Sequence, residues 1–105
     1  MNYKIVLTPD AQNDLNDIFK YIAFDLQSFQ NATSQLDRIE KAVKSLEQLP
    51  SRFRLCDKEP WKSRNLRVMP VDNYIVLYIV DNNKNIVTVV HIMYGGRNIE
   101  FLLEG

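Results

Sequence analysis

The stretch Tyr74-Ile75-Val76-Leu77-Tyr78-Ile79-Val80 decides the fold, because it places no charged residue on either of the two sides that a strand presents. Side chains of a strand alternate between the two faces of a sheet, so a sequence that is uncharged on both alternations is typical of a strand covered on both faces. We therefore predict a central strand. One face can take a layer of helices, and the other needs a second cover, either the apolar tail at 99–103 or a partner protein.

Two further strands flank the central strand, at 63–69 and 86–94. The connections are Pro-Val-Asp-Asn at 70–73 and Asp-Asn-Asn-Lys-Asn at 81–85, and both consist largely of turn-forming residues. Neither connection is long enough for a helix, so neighbouring strands are expected to pair antiparallel as hairpins. A β-branched run at 3–7 predicts one more strand at the N-terminal end.

Two amphipathic helices are predicted between the first strand and the later three. Thr8 suits an N-cap and Pro9 the first helical position, and apolar residues then recur every three or four positions as far as Leu26. Ser28 suits the cap of a second helix with the same spacing, which Pro50 ends by excluding the preceding residue from the helical region. The two helices are expected to form an antiparallel hairpin that lies on the sheet.

Length and composition fit one globular domain over residues 1–105. With 46% hydrophobic and 25% charged residues, three Gly and four Pro, the chain is neither disordered nor collagen-like. The predicted fold class is α+β. An N-terminal strand, an antiparallel two-helix hairpin and a three-stranded antiparallel meander form one mainly antiparallel sheet with its helices, followed by a short C-terminal tail.

The cysteine content and the N-terminal residues indicate the compartment. Cys56 is the only cysteine and cannot form an internal disulfide, and no apolar run follows the initial Met-Asn-Tyr-Lys. Both observations favour a reducing compartment and no export signal, so we expect a cytoplasmic protein. The uncharged run at 74–80 is far shorter than the roughly 18 apolar residues of a membrane helix, so no association with a membrane is expected.

The charges are unevenly distributed although the net charge is zero. Residues 50–70 contain six basic against two acidic residues, with Phe53 and Trp61 interleaved among them. Basic side chains neutralise phosphates and aromatic rings stack on bases, so this segment is compatible with a nucleic-acid contact. A solvated basic loop with no such role is equally compatible with the pattern.

Few residues are suited to catalysis or to metal binding. His91 is the only imidazole, and strand alternation places it on the opposite face from Tyr94. Cys56 and His91 lack a recognisable third group to orient them, and one His, one Cys and scattered carboxylates show no metal-ligand spacing. The Gly-Gly-Arg at 95–97 lacks the context of a phosphate-binding loop. No metal ion and no cofactor are expected.

Two segments carry a resemblance to a known family. The run Asn-Leu-Arg-Val-Met-Pro-Val-Asp-Asn-Tyr-Ile-Val-Leu-Tyr-Ile-Val-Asp at 65–81 pairs an arginine-bearing strand with the central strand, and the run at 89–103 leaves the last strand through Gly-x-Arg into an apolar tail. This order of elements resembles the RelE/ParE family of bacterial toxins. The resemblance implies a small toxin, neutralised by a cognate antitoxin, that acts either on the ribosome with its messenger RNA or on DNA gyrase. It leaves the oligomeric state open.

Within that family, residues 14–22 and the long helical hairpin are similar to the ParE branch, whose members inhibit gyrase. Enzymes of the ribonuclease branch typically place an arginine just after the tyrosine of the central strand, where this chain has Ile75. Arg67, Tyr94 and Arg97 match the rest of the family pattern. The resemblance implies that these three residues would be catalytic if the chain were a ribonuclease.

The resemblance leaves three hypotheses for the activity. The leading one is a toxin that inhibits gyrase, the second is ribosome-dependent cleavage of messenger RNA, and the third is a non-toxic relative that only binds protein. The first two require a concave basic surface that contacts the target. The residues expected on that surface are Lys62, Arg64, Arg67, Arg97 and Trp61.

Overall fold

The computed structural model describes residues 2–57, 59 and 61–95. Its main elements, in chain order, are β1 (Lys4–Leu7), α1 (Pro9–Lys20), α2 (Phe29–Lys44), β2 (Arg67–Val71), β3 (Tyr74–Asp81) and β4 (Ile86–Tyr94). The four strands form one sheet in the order β1-β4-β3-β2, in which β1 is parallel to β4 and the other pairs are antiparallel. The predicted α+β fold with a mainly antiparallel sheet is confirmed. None of the described helices is long and apolar enough to cross a membrane.

The first helix begins where the sequence predicts, at Pro9 after an N-cap at Thr8. The Thr8 hydroxyl accepts the backbone N–H of Ala11 at 3.1 Å and donates to the carbonyl of Val90 at 2.8 Å. One side chain therefore satisfies an open donor of the helix and joins α1 to β4. Ala11 and Leu15 then bury the apolar stripe of α1 against the sheet.

The two helices are joined by a π-helical turn, Tyr21–Asp25, that follows α1 directly. Ser28 caps α2, with its hydroxyl accepting the N–H of Asn31 at 3.4 Å. The second helix ends earlier than predicted, at Lys44, and a 3₁₀ turn, Ser45–Glu47, follows it. The guanidinium of Arg52 donates to the backbone carbonyls of Ser45, Gln48 and Leu49. These acceptors are therefore satisfied without a longer helix.

The central strand β3 is covered on both faces, as its sequence predicts. On one face Val76 and Tyr78 belong to the cluster that packs against α1 and α2. On the other face Ile75 and Leu77 are buried in a second cluster, completed by Cys56, Leu66, Val68 and Trp61. Apolar residues of the basic segment 50–70 thus contribute to this cover, and the prediction that the tail at 99–103 or a partner supplies it stays a prediction. The tail itself lies outside the described residues.

The strand before the central one differs from the prediction. The sequence pattern assigns a strand to 63–69 and a turn to 70–73, whereas β2 spans Arg67–Val71 and residues 61–65 form turns. Pro70 is part of the strand because β2 is an edge strand of the sheet, where a missing N–H donor leaves no neighbour unpaired. Asn65 has a φ of 58° at the entry to β2, a left-handed conformation that asparagine tolerates.

Candidate functional site

Two arginines of the basic segment 50–70 are engaged with backbone carbonyls of the protein. Arg67 Nη1 donates to the carbonyls of Ser51 at 3.1 Å and Phe53 at 2.6 Å. Arg52 caps the turn after α2, and its guanidinium lies 4.7 Å from the centre of the Phe53 ring. Both cations thus hold the segment that leads from the helices to the sheet.

The remaining described cations of this segment are more exposed. The guanidinium of Arg64 lies 5.8 Å from the centre of the Trp61 ring, and Trp61 packs against the buried cluster of Ile75 and Leu77. The indole Nε1 of Trp61 is buried and has no hydrogen-bond partner among the described residues. Lys62 is exposed beside this stack. Trp61 therefore anchors the loop, and Lys62 and Arg64 face outward from it.

Two of the sequence-predicted catalytic residues, Arg67 and Tyr94, lie on different strands. Arg67 is paired with Tyr78 on β3, whereas Tyr94 is paired with Tyr74. Four residues of strand separate the two partners, which is about 13 Å at the usual rise per residue. The third predicted residue, Arg97, lies outside the described residues. A cluster of Arg67, Tyr94 and Arg97 stays a prediction, and its two described members lie beside positions four residues apart on β3.

His91 follows a β-bulge in β4. On β3 the adjacent residues Leu77 and Tyr78 pair with His91 and Val89 of β4. Val90 is therefore the extra, unpaired residue of the bulge. His91 Nδ1 lies 3.2 Å from Oδ2 of Asp14, which also accepts the backbone N–H of Ile92 at 2.9 Å. The carboxylate thereby connects α1 to the part of β4 that extends beyond its pairing with β1. His91 and Tyr94 remain on opposite faces of the sheet, since their partners Leu77 and Tyr74 alternate along β3.

Cys56 is unsuited to nucleophilic chemistry. Its side chain is buried in the cluster with Leu66 and Ile75. Burial raises the pKa of the thiol, although the nearby Arg54 acts in the opposite direction, so the neutral form is favoured. Among the described residues no three His, Cys, Asp or Glu side chains are grouped in a way that would hold a metal ion.

A cleft of about 990 Å³ lies between the helical hairpin and the ends of β3 and β4. We call it the tyrosine cleft, since Tyr21, Tyr74 and Tyr94 line it from three separate elements. The rings of Tyr74 and Tyr94 meet edge to face, with centres 5.8 Å apart and planes at 79°. Burial raises the pKa of Tyr74, and the nearby hydroxyls of Tyr21 and Tyr94 add to that rise. The other lining residues are Asp17, Ile18, Ile22, Leu26, Asn31, Ser34, Gln35, Arg38 and Asn73.

An exposed apolar surface adjoins this cleft at the end of the helical hairpin. It consists of Tyr21, Phe24, Leu26 and Phe29, and we call it the hairpin tip. Leu26 belongs to the apolar stripe that the sequence predicts to be buried, yet it is 56% exposed. The π-helical turn explains the difference, because a wider turn interrupts the three-to-four spacing and rotates the following residues away from the core. Sequence reasoning misses both the hairpin tip and the tyrosine cleft for this reason.

Comparison with protein families finds a match over most of the chain. The model of a family described as "ParE toxin of type II toxin-antitoxin system, parDE" matches residues 5–99. No curated protein has a significant sequence match to this chain.

Solved structures share the fold at low sequence identity. A chain of the chromosomal ParDE TA system from P. aeruginosa superposes with a TM-score of 0.70 at 17% identity, over 88% of this chain and 95% of that chain. A chain of the RelBE2 toxin-antitoxin complex from Mycobacterium tuberculosis gives a TM-score of 0.64 at 17% identity, over 90% and 99%. A chain of the archaeal RelE-RelB complex from Pyrococcus horikoshii OT3 gives 0.63 at 17% identity, over 92% and 99%.

Proposed function

Because this chain belongs to the ParE toxin family of type II toxin-antitoxin systems, we propose that it arrests growth by binding DNA gyrase and breaks no bond itself. The match to the ParE family over residues 5–99 is the observation that carries this proposal. As a type II toxin the protein has a cognate antitoxin as its partner. The activity is assigned to a single domain, 1–105, acting in the cytoplasm.

The surroundings of Ile75 support a mode of action without RNA cleavage. At the position where the ribonuclease branch typically has an arginine, this side chain is only 3% exposed and packs with Cys56 and Leu66. An arginine confined to this apolar cluster would be a buried charge without a partner, which is strongly unfavourable. The chain therefore supplies no phosphate-binding cation at this position.

The arrangement of the other candidates supports the same mode of action. Cleavage through the 2′-hydroxyl needs a base, a cation at the phosphate and an acid, all within reach of one bond. In the described residues His91 is held by Asp14, the Arg67 guanidinium is bonded to backbone carbonyls, and Tyr94 lies on the face opposite His91. A protein that only binds its target needs none of these groups together.

The proposed contact surface for the target is the outward-facing part of the basic segment. Lys62 and Arg64 are exposed cations of this part, and the Arg64 guanidinium lies 5.8 Å from the centre of the Trp61 ring. Arg67 and Arg97 are proposed as further members from the family pattern. A basic surface of this kind suits a complex of gyrase with cleaved DNA, whose phosphates attract cations.

The test compares two targets with the same purified toxin. Gyrase is assayed for supercoiling and for accumulated cleaved DNA, and translating ribosomes are assayed for breaks in messenger RNA. We expect the wild-type toxin to inhibit supercoiling and to increase the amount of cleaved DNA. Arg64→Ala should weaken this inhibition. Lys84→Ala, which changes an exposed lysine in the β3–β4 turn, should leave it unchanged. Breaks phased with codons and an unaffected gyrase would establish the ribonuclease instead. No effect on either target, with no arrest of growth, would identify a non-toxic binding relative.

A further inference from the structure

The tyrosine cleft carries chemistry that the proposed gyrase contact does not use. Its ring walls are accessible from outside, since Tyr21 is 53% and Tyr94 60% exposed. Tyr74 lies half-buried behind them and meets Tyr94 edge to face, so two ring planes stand nearly perpendicular at one corner. Perpendicular electron-rich rings around an open space are the arrangement in which proteins bind organic cations.

The charge of the cleft points to the same class of ligand. Among the described residues the cleft is lined by one cation, Arg38, which is already neutralised, because its Nε lies 2.7 Å from Oδ2 of Asp72 and its Nη2 donates to Gln35 Oε1 at 3.2 Å. Asp17 also lines the cleft, and within the described residues its carboxylate has no hydrogen-bond or ion-pair partner. An unpaired carboxylate beside three phenol rings leaves the cleft attractive to a positive charge.

We propose that the tyrosine cleft binds an arginine side chain of the cognate antitoxin, with its guanidinium between the rings of Tyr21, Tyr74 and Tyr94 and against the Asp17 carboxylate. The inference rests on the proposed function in one respect, that an antitoxin is the partner. Arginine suits the site better than lysine. A guanidinium is planar, so it can stack flat on a ring and present two parallel N–H donors to a carboxylate, whereas an ammonium is a compact point charge without such a plane.

The hairpin tip supports a protein segment as the carrier of that arginine. Tyr21 and Leu26 belong both to the cleft and to the hairpin tip, so the two surfaces are continuous. Phe24 extends the apolar surface and is 67% exposed, and Phe29 is held by an edge-to-face contact with Phe19, with centres 5.4 Å apart. An amphipathic helix that covers this surface with its apolar side would place a neighbouring arginine in the cleft.

A small-molecule titration tests the cation preference directly. The purified toxin is titrated with N-acetyl-arginine amide and, separately, with the neutral isostere N-acetyl-citrulline amide, while NMR follows the tyrosine ring signals. We expect shifts for Tyr21 and Tyr94 with the arginine compound and at least tenfold weaker binding of the citrulline compound. Asp17→Asn should weaken binding of the arginine compound about tenfold. Asp10→Asn is the control, because Asp10 is an exposed carboxylate on the same helix but outside the cleft, and it should leave this binding unchanged. Equal responses to both compounds would overturn the proposal.

A second measurement tests the antitoxin as the source of the arginine. Dissociation of the toxin-antitoxin complex is measured for Tyr94→Phe, Tyr94→Leu and Asp17→Asn, after thermal unfolding confirms that each variant is folded. We expect Tyr94→Phe to stay within about twofold of wild type, because the ring remains, and the other two to dissociate about tenfold faster. Wild-type dissociation rates for all three variants would remove the antitoxin from the cleft.

The two proposals fail in different ways. If gyrase is unaffected by the wild-type toxin while the arginine titration succeeds, only the proposed target is wrong. If Asp17→Asn loses inhibition of gyrase and keeps its antitoxin affinity, the cleft faces gyrase and the antitoxin assignment is overturned.

Discussion

The buried hydroxyl of Tyr78 should make the free energy of unfolding of this protein fall steeply at alkaline pH. The Tyr78 ring is fully buried at the centre of the helix-side cluster, and its hydroxyl donates to the carbonyl of Pro50 at 2.6 Å. Burial raises the pKa of Tyr78 to about 12 from an ordinary value of 10, although Arg67 and Arg52 act in the opposite direction. The folded protein therefore keeps the proton at pH values where the unfolded chain has lost it.

The sign and size of the effect follow from this difference. A group whose pKa is raised on folding stabilises the protein fully below its unfolded value, and this contribution is lost as pH rises from about 10 through about 12. Two pKa units correspond to a loss on the order of 2 to 3 kcal/mol. Tyr78→Phe removes the titrating group and the hydrogen bond together. It should cost about 1 to 3 kcal/mol at pH 7, because the buried Pro50 carbonyl loses its partner.

Urea unfolding at a series of pH values checks both statements. The unfolding free energy of wild type minus that of Tyr78→Phe should be positive at pH 7 and should shrink above pH 10. Tyr74 also has a raised pKa, but its contribution is common to both proteins and cancels in this difference. Tyr3→Phe is the matched control, since the Tyr3 hydroxyl donates to Asn82 at 2.8 Å in an exposed position, and it should cost less than about 0.5 kcal/mol. A Tyr78→Phe protein that loses stability above pH 10 as steeply as wild type would refute the reasoning.

Three further predictions concern single side chains. Thr8→Ala should lower the free energy of unfolding, measured by urea denaturation, by about 1 to 2 kcal/mol, because the α1 cap and the hydrogen bond to β4 are lost together. An unchanged free energy of unfolding would mean that water replaces the hydroxyl. Arg67→Ala should cost about 1 to 3 kcal/mol by leaving two carbonyls unpaired, whereas Arg64→Ala should stay within about 0.5 kcal/mol, and the same denaturation series compares them. Arg97→Ala should relieve growth arrest with stability changed by less than about 1 kcal/mol, and undiminished toxicity of the folded variant would remove Arg97 from the site.

Much of the fold could be predicted from local signals. Thr8 and Ser28 mark the starts of both helices, because a cap needs only its own side chain and the next three backbone groups. The residues of β3 predict a strand covered on both faces, since burial on both sides excludes charge at every position. The β2 strand was less predictable. Its bounds depend on whether the missing N–H of Pro70 would face a second strand, and only the sheet order shows that β2 has a neighbouring strand on one side alone.

The site was predictable only in part. Lys62 and Arg64 are exposed, as a basic loop segment suggests, but the bonds of the Arg67 guanidinium depend on carbonyls 14 and 16 residues earlier in the chain. The bulge at Val90 breaks the simple alternation of side chains along β4. Neither feature has a signal in the adjacent sequence, because each is set by residues that approach only after folding.

The sequence by itself determined the element types, their order, the two helix starts and the family, because each of these depends on residues close together in the chain. The tertiary structure alone decided that Cys56 and Trp61 pack on the second face of β3, and where the tyrosine cleft lies. Tyr21, Tyr74 and Tyr94 come from the π-helical turn and from the ends of two strands. Their meeting depends on how the helical hairpin packs across the sheet, and that packing is the sum of many contacts between residues far apart in sequence.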